Sequence, residues 1–265
     1  MIRKDTDTLI SFKFGSLADF YKSVSEKIGS TRLSREHESE CKSGEHTSFC
    51  GANYSETIQR KHSWPEGVSM LKQLASMEKT ITKEWKKVWS EDDGDEMDME
   101  RYYNDMPFLQ KRIKVLGNRS RNNSIQKILV NPTENANISA KDMLWKTFTA
   151  VKVADELESK GTRCEIILKY FSSNIDKRDR NVTFEIPIKE AGEPVNLSLL
   201  CTVFSPWFFR YWIFHLFFSH IEGVRGSLGM ARKIPTEETE NCIVIDSGTA
   251  LSKEAANNFL KGVKI

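Results

Sequence analysis

The chain has 265 residues, enough for one large or two small domains, and its composition is that of a globular protein rather than a disordered one. Lys and Arg number 39 and Asp and Glu 37, so the formal net charge is +2. This balance excludes nucleic-acid binding through bulk positive charge and leaves only a local basic patch for that purpose. The five cysteines include no CxxC pair. They favour a reducing compartment, and we expect a cytoplasmic location.

The first part of the chain, residues 1–90, predicts an N-terminal region that is mostly helical. A short strand over residues 8–14 precedes a helix that Ser16 caps. Residues 29–53 are polar and predict a long loop. A second helix is predicted to begin at Trp64-Pro65 and to continue, with apolar residues at helical spacing, to about Trp89.

The predicted loop contains four side chains of the types that bind zinc: His37, Cys41, His46 and Cys50. Their spacing matches no standard zinc finger. We therefore expect a mobile loop with no metal ion and no other cofactor.

Lysines interleave with tryptophans near the end of the second predicted helix. Trp85 and Trp89, with lysines between them, are typical of a platform on which nucleic-acid bases stack. The same pattern is also typical of a packed helix stripe with solvated lysines, and the sequence leaves both interpretations open.

An acidic run divides the chain. Seven of the ten residues 91–100 are acidic, which predicts a solvated linker over residues 91–105. The charge then inverts, because no acidic residue occurs from Met106 to Thr133. The side chains that we expect to contact phosphate groups in this part are Lys111, Arg112, Lys114, Arg119, Arg121 and Lys127. An ordinary exposed basic loop that pairs with the acidic run is the alternative.

Strands and helices alternate along residues 106–265, which predicts an α/β domain with a mainly parallel sheet flanked by helices. The predicted strands are 125–130, 163–170, 181–188 and 242–246, and the predicted helices are 141–159, 196–220 and 252–260. The strand 181–188 alternates apolar and polar residues, which predicts an edge strand that is antiparallel to its neighbour. In the loop before it, Lys177, Arg178 and Arg180 are further candidates for nucleic-acid contact.

One apolar segment is long enough to span a membrane, because Arg210 is its only charged residue between Val195 and Ile221. Pro206 interrupts the segment and Arg210 lies near its centre. We therefore expect a buried or interface helix without stable membrane insertion. As an interface, this helix would bind a partner through Trp207, Phe208, Tyr211 and Trp212.

The order of elements in residues 106–265 resembles the von Willebrand factor A fold. In that fold the first strand ends in a DxSxS motif that holds a divalent metal. The corresponding residues here are Asn131-Pro132-Thr133-Glu134-Asn135, and Asp246-Ser247-Gly248-Thr249 follows the last strand. The resemblance therefore implies the fold in a degenerate form, without the metal.

Nearly the whole chain also resembles an uncharacterised family found in phages and other mobile elements. The matching pieces are Phe14 to Phe20, Phe49-Cys50-Gly51, Trp64-Pro65-Glu66-Gly67, Leu129-Val130-Asn131, residues 154–161 and, most specifically, residues 186–194. The resemblance implies a phage accessory protein that acts in the host cytoplasm beside replication, transcription or packaging proteins.

Two functions of different classes follow from these patterns. The motifs GxSxG, HExxH, GxGxxG and the P-loop do not occur in the sequence, so we expect no enzyme. The first hypothesis is a phage accessory protein that binds nucleic acid, single-stranded DNA in particular, and recruits a phage protein such as a polymerase for replication or transcription. The alternative is a protein-binding adaptor built on a von Willebrand A-like domain without metal. The phage setting favours the first.

Overall fold

A mixed sheet of six strands lies at the centre of this computed structural model, which describes residues 1–76, 85–90, 96–104, 106–114, 125–225 and 232–263. The strands are β1 (Ile2–Asp5), β2 (Leu9–Lys13), β3 (Trp85–Ser90), β4 (Glu96–Met97), β5 (Leu109–Lys114), β6 (Ile125–Val130), β7 (Arg163–Ser172), β8 (Asn181–Lys189) and β9 (Cys242–Ile245). The α-helices are α1 (Leu17–Ser25), α2 (Arg32–Ser43), α3 (Thr47–Cys50), α4 (Tyr54–Gln59), α5 (Pro65–Ser76), α6 (Met99–Tyr103), α7 (Ala140–Ser159), α8 (Leu197–Val203), α9 (Phe214–His220) and α10 (Lys253–Gly262).

The large sheet has the strand order β1-β2-β8-β7-β6-β9. Three of its neighbouring pairs are parallel, β2 with β8, β6 with β7 and β6 with β9. The other two pairs, β1 with β2 and β7 with β8, are antiparallel. The predicted α/β class, with a mainly parallel sheet flanked by helices, is therefore confirmed.

The elements with the clearest sequence signals lie where they are expected. Strands β6, β7 and β9 and helix α7 match the predicted ranges closely. Ser139 caps α7 by accepting a hydrogen bond from the backbone N–H of Asp142, whose carboxylate bonds back to Ser139. Ser252 caps α10 by accepting a hydrogen bond from the backbone N–H of Ala255. These helices begin where a capping side chain precedes an amphipathic run.

Strand β8 is not an edge strand, contrary to the prediction. It lies between β7 and β2, with Phe12 of β2 directly opposite Phe184. The second pairing comes from a strand that precedes it by about 170 residues in the sequence, which a local pattern does not show. The prediction that β8 runs antiparallel to its neighbour β7 is confirmed.

The N-terminal residues are part of this same core. Strands β1 and β2 extend the large sheet, and helix α1 packs beside them, with the rings of Phe14 and Phe20 5.2 Å apart. Residues 1–76 therefore contribute two strands to the central sheet as well as five helices.

The predicted loop over residues 29–53 is wrong, because helices α2 and α3 occupy most of it. Thr31 caps α2, and Gly44 ends it with a positive φ of 90°. The buried face of α2 consists of Ser34, His37 and Cys41 instead of aliphatic side chains. A helix whose buried face is polar gives no hydrophobic periodicity, so the sequence pattern does not reveal it.

The second predicted helix is shorter than expected. Helix α5 begins at Pro65, as predicted, and ends at Ser76. Residues 77–84 lie outside the described chain, and Trp85 and Trp89 belong to strand β3. Residues 91–95 of the acidic run and residue 105 also lie outside it, so the predicted linker stays a prediction.

The aromatic segment is a broken helix in the core. It consists of α8, a π-helical segment over Phe208–Ile213, and α9. The ring of Phe217 lies 5.1 Å from that of Tyr170 on β7, which places α9 against the sheet. Among the described residues, a membrane-crossing length of apolar helix is reached only by α8 and the following helix taken together, and these are bent by 56° at the break.

Candidate functional site

A second, smaller sheet brings together the tryptophans and part of the basic stretch that the sequence singles out. Its strand order is β3-β5-β4, with both pairs antiparallel. Trp85 lies opposite Lys114, Lys87 opposite Arg112, and Trp89 opposite Gln110. The sequence analysis placed the tryptophans on a helix, separate from the basic stretch. The antiparallel pairing of β3 with β5 instead brings the tryptophans next to Lys111, Arg112 and Lys114.

One face of this small sheet is aromatic and basic. Directly opposite residues of an antiparallel pair share a face, and so does every second residue along a strand. We therefore define the aromatic–basic face by its register positions, which are Trp85, Lys87, Trp89, Gln110, Arg112 and Lys114. Glu96 of β4, opposite Gln110, stands at one end of it. The face thus holds three cationic positions, one acidic position and two indoles.

The opposite face of the small sheet is more apolar. The register pairs Val88 with Lys111, Lys86 with Ile113, and Ser90 with Leu109. Lys111, which we expected to contact phosphate with Arg112 and Lys114, therefore stands on the other side of the sheet from them. Successive residues of a strand point to opposite faces of the sheet. Lys111 and Arg112 are therefore adjacent in the sequence but lie on different faces.

Trp89 has a cationic neighbour that the sequence analysis missed. The guanidinium of Arg101, on α6, lies 4.3 Å from the centroid of the Trp89 ring, a cation–π contact. The Arg101 Nε donates a hydrogen bond to the carbonyl of Pro107 at 2.9 Å, and this bond fixes the guanidinium. Arg101 was missed because it directly follows the seven acidic residues of 91–100, so the local sequence is acidic overall. The sequence does contain a signal for strand β3: Trp85, Lys87 and Trp89 stand at every second position, which is the period of a strand.

The remaining predicted cations are scattered. Lys127 is exposed on β6, and Lys177 and Arg178 are exposed in the loop between β7 and β8. Lys127 lies opposite Glu165, and that loop begins after Ser172, seven residues or about 23 Å further along β7. Arg119 and Arg121 lie outside the described residues.

Arg180 is buried and is not available for phosphate contact, contrary to the prediction. Its guanidinium makes an ion pair with Asp176 at 2.6 Å, and Asp176 also accepts hydrogen bonds from the backbone N–H groups of Arg178 and Arg180. Burial raises the pKa of Asp176, but the bonds from Arg180 and the backbone outweigh it and hold that pKa below its ordinary value. Arg180 therefore stabilises the conformation of this loop and is not part of its exposed surface.

A buried polar network lies at the carboxyl ends of the parallel strands β6 and β9, where open α/β sheets commonly bind ligands. Asn131 donates a hydrogen bond to Asp246 at 2.8 Å. Lys146, from α7, donates one to the carbonyl of Asn131 at 2.9 Å and another to Glu134. The backbone N–H of Gly248 donates to Glu134 at 3.1 Å.

The ammonium of Lys146 supplies the positive charge at this end of the sheet. Its side chain is fully buried. Burial lowers the pKa of Lys146 below its ordinary value, and the opposing effect of the Glu134 carboxylate is smaller. Asn131 and Glu134, which stand where the resemblance implies a metal-binding motif, are engaged by Lys146 and by neighbouring backbone groups. The network therefore connects the end of β6, helix α7 and the loop after β9, and it stabilises the packing of these elements.

The four predicted partner-binding side chains form part of the core instead of a surface. Their exposed fractions are 1% for Trp207, 0% for Phe208, 1% for Tyr211 and 3% for Trp212. Trp207 packs against Trp64 of the N-terminal region, with the ring centroids 4.6 Å apart. Tyr21 of α1 covers Trp212 in the same way, at 5.0 Å. The N-terminal helices cover this aromatic segment, so an interface through these residues is excluded in this fold.

The fold and these two sites define an α/β protein with a mixed central sheet and a small antiparallel sheet. Residues 3–264 match the family described as "Domain of unknown function (DUF7192)", and the chain belongs to that family. No curated protein and no solved structure matches the chain.

Proposed function

We propose that this chain is a non-catalytic protein that binds single-stranded nucleic acid, DNA in particular, through the aromatic–basic face of its small sheet. The observation that supports the proposal is the strand register, which alternates indoles with cations on one face. Proteins that bind single strands without sequence preference combine stacking aromatic rings with positive charges along the backbone.

The dimensions of the face suit a few nucleotides. Strand β3 has six residues and is about 20 Å long, and Trp85 and Trp89 are four residues or about 13 Å apart along it. Single-strand sites of this kind begin at about 4 nucleotides. Lys87, Arg112 and Lys114 lie between and beside the indoles in register, where they would meet phosphate groups.

The wider role that we propose is recruitment of phage replication or transcription machinery, such as a polymerase, in the host cytoplasm. This part of the proposal rests on the resemblance to phage proteins and not on a described surface. In the adaptor alternative, the aromatic side chains expected to bind a partner are buried in the core. An adaptor would therefore have to bind its partner through other surfaces, such as the loops after β6 and β9.

Fluorescence polarisation tests the proposal. Labelled single-stranded and duplex oligonucleotides of about 12 nucleotides would be titrated with the protein from about 50 to 200 mM salt. We expect tighter binding to the single strand and an affinity that falls with salt. Absence of single-strand binding at low salt would refute the proposal and favour the adaptor.

A pair of charge variants locates the binding face. Lys87→Ala with Arg112→Ala removes two cations from the aromatic–basic face, and Lys86→Ala with Lys111→Ala removes two from the opposite face of the same strands. Two lost phosphate contacts reduce the slope of log affinity against log salt by about 1.4. We expect that change for the first pair and a clearly smaller one for the second. Equal changes would contradict the assignment of the face.

A further inference from the structure

Two helices place four zinc-binding side chains in two matched pairs. His37 and Cys41 are four residues apart on α2, and His46 and Cys50 are four residues apart at the start and end of α3. Residues at this spacing lie on one face of a helix, as they do in helical zinc motifs. Gly44, with its positive φ, ends α2 and reverses the chain so that the second pair faces the first.

Three of the four side chains lie close enough together to hold a metal ion. Ligand atoms of His37, Cys41 and His46 all lie within 4.8 Å of one another. Cys50 lines the same small crevice as Cys41 and His46, which places the fourth side chain beside this group. A tetrahedral zinc ion with bonds of about 2.0 to 2.3 Å holds its ligand atoms about 3.3 to 3.8 Å apart.

Both imidazoles have partners that orient them, and one has an unused nitrogen. The His37 Nε2 lies 3.0 Å from the carbonyl oxygen of Arg210. The His46 Nε2 lies 3.4 Å from a carboxylate oxygen of Glu40, while its Nδ1 is buried and has no hydrogen-bond partner. Carboxylates and backbone carbonyls are the groups that orient histidines around zinc. An unpaired buried nitrogen on a ring that lies close to the Cys41 thiol is a polar atom that a metal ion would satisfy.

The electrostatics also suit a zinc ion. Two thiolates neutralise Zn²⁺, so a Cys₂His₂ site adds no net charge to this buried place. His37, Cys41 and Cys50 are buried, whereas the His46 side chain is 32% exposed and borders the crevice through which an ion would enter.

We propose that His37, Cys41, His46 and Cys50 form a structural Cys₂His₂ zinc site. The ion fastens α2 to α3 and, through the His37 bond to Arg210, to the aromatic helix in the core. Because the ligand set is complete, no open position remains for catalysis. The site is separate from the aromatic–basic face and does not depend on its proposed role.

Metal analysis of the full chain tests this proposal. Protein purified without chelator should contain one zinc per chain by plasma mass spectrometry. After chelation and reconstitution with Co²⁺, it should show the d–d bands of tetrahedral cobalt and a thiolate-to-cobalt charge-transfer band. Chelation should also lower the thermal midpoint, because binding energy of a structural zinc is folding energy. Failure to bind either ion after reconstitution in reducing buffer would overturn the proposal.

Variants separate coordination from folding. Cys50→Ser should abolish the charge-transfer intensity of one thiolate, and His46→Asn, at the half-exposed ligand, should weaken zinc binding by more than about 100-fold. Cys201→Ser changes another buried cysteine, outside the cluster, and should leave zinc content unchanged. Equal zinc content in all three variants, or a disulfide between Cys41 and Cys50 in place of zinc in protein purified under reducing conditions, would refute the site.

Discussion

The two sheets hold their charged residues in different arrangements. Around the six-stranded sheet, buried cations are matched by nearby acids: Lys146 pairs with Glu134, and Lys189 lies 2.8 Å from Glu158. On the aromatic–basic face of the small sheet, the register places three cations beside a single acid. We propose that the cations of this face contact phosphate groups, whereas the buried cations around the large sheet stabilise the fold.

If the proposed function is correct, the two sets of residues respond differently to substitution. A change in the buried pairs should destabilise the protein, whereas a change on the aromatic–basic face should leave the fold intact and weaken binding.

The largest effect is expected for Lys146→Met. Loss of the ammonium leaves the buried carboxylate of Glu134 without its charge partner, and breaking such a pair costs about 3 to 5 kcal/mol of unfolding free energy. Urea denaturation measures this loss. Lys141→Met, on the exposed surface of the same helix, should change stability by less than about 0.5 kcal/mol. Equal stability of the two variants would show that the pair is not structural.

The second effect concerns stacking. Trp85→Leu should weaken single-strand binding by about 1 to 3 kcal/mol, or about 5- to 150-fold, because leucine offers no flat ring to a base. The slope of log affinity against log salt should stay the same, since no phosphate contact is lost. Trp85→Phe, measured in the same polarisation assay, should retain most of the affinity. A changed salt slope, or no rescue by phenylalanine, would argue against a stacking role.

The third effect is the pH dependence of stability. Because the pKa of Asp176 is held below its ordinary value of 3.8, this group stabilises the fold fully above that pH and loses its contribution as the pH falls towards the lowered pKa. Asp176→Asn should therefore be less stable than the natural chain near neutral pH, and the difference should shrink in acid. Urea denaturation at about pH 7 and about pH 3.5 measures both values. A difference that grows in acid would contradict the assigned direction.

Nucleic-acid binding should respond to pH differently. Lysine and arginine lose their protons only above about pH 10, so affinity should be nearly constant from about pH 6 to pH 8. Polarisation titrations at the two pH values measure this. A strong dependence in that range would indicate that histidines, and not the cations of the small sheet, carry the binding.

Among the variants, the smallest effect is expected for Lys177→Ala with Arg178→Ala. These side chains are exposed in the loop between β7 and β8 and are not among the register positions of the aromatic–basic face. We expect the affinity to fall by less than about threefold. A loss as large as that for Lys87→Ala with Arg112→Ala would extend the site to this loop.

The fold was predictable where apolar periodicity and caps agree. Helix α7 has both an apolar face and the Ser139 cap, and β6 is a short apolar run. Helix α2 was missed because Ser34, His37 and Cys41 form its buried face. The pairing of β2 with β8 joins residues about 170 positions apart, and no local pattern encodes it.

The candidate site was predictable in its residue types but not in its geometry. The sequence identifies Trp85, Trp89, Arg112 and Lys114, but assigns the tryptophans to a helix. Only the register of β3 on β5 shows which of the cations share a face with them. The aromatic segment shows the reverse limit, since its composition fits a core, an interface or a membrane equally, and the packing of the N-terminal helices decides for the core.

Photo-crosslinking followed by peptide mapping would show directly where a single strand binds. A single-stranded oligonucleotide carrying 5-bromouracil would be irradiated with the full chain, and the crosslinked peptides would be identified by mass spectrometry. We predict crosslinks within residues 85–90 and 109–114, at Trp85 or Trp89 in particular. Crosslinks confined to Lys127 or to the loop with Lys177 would contradict the claim that the aromatic–basic face binds the strand.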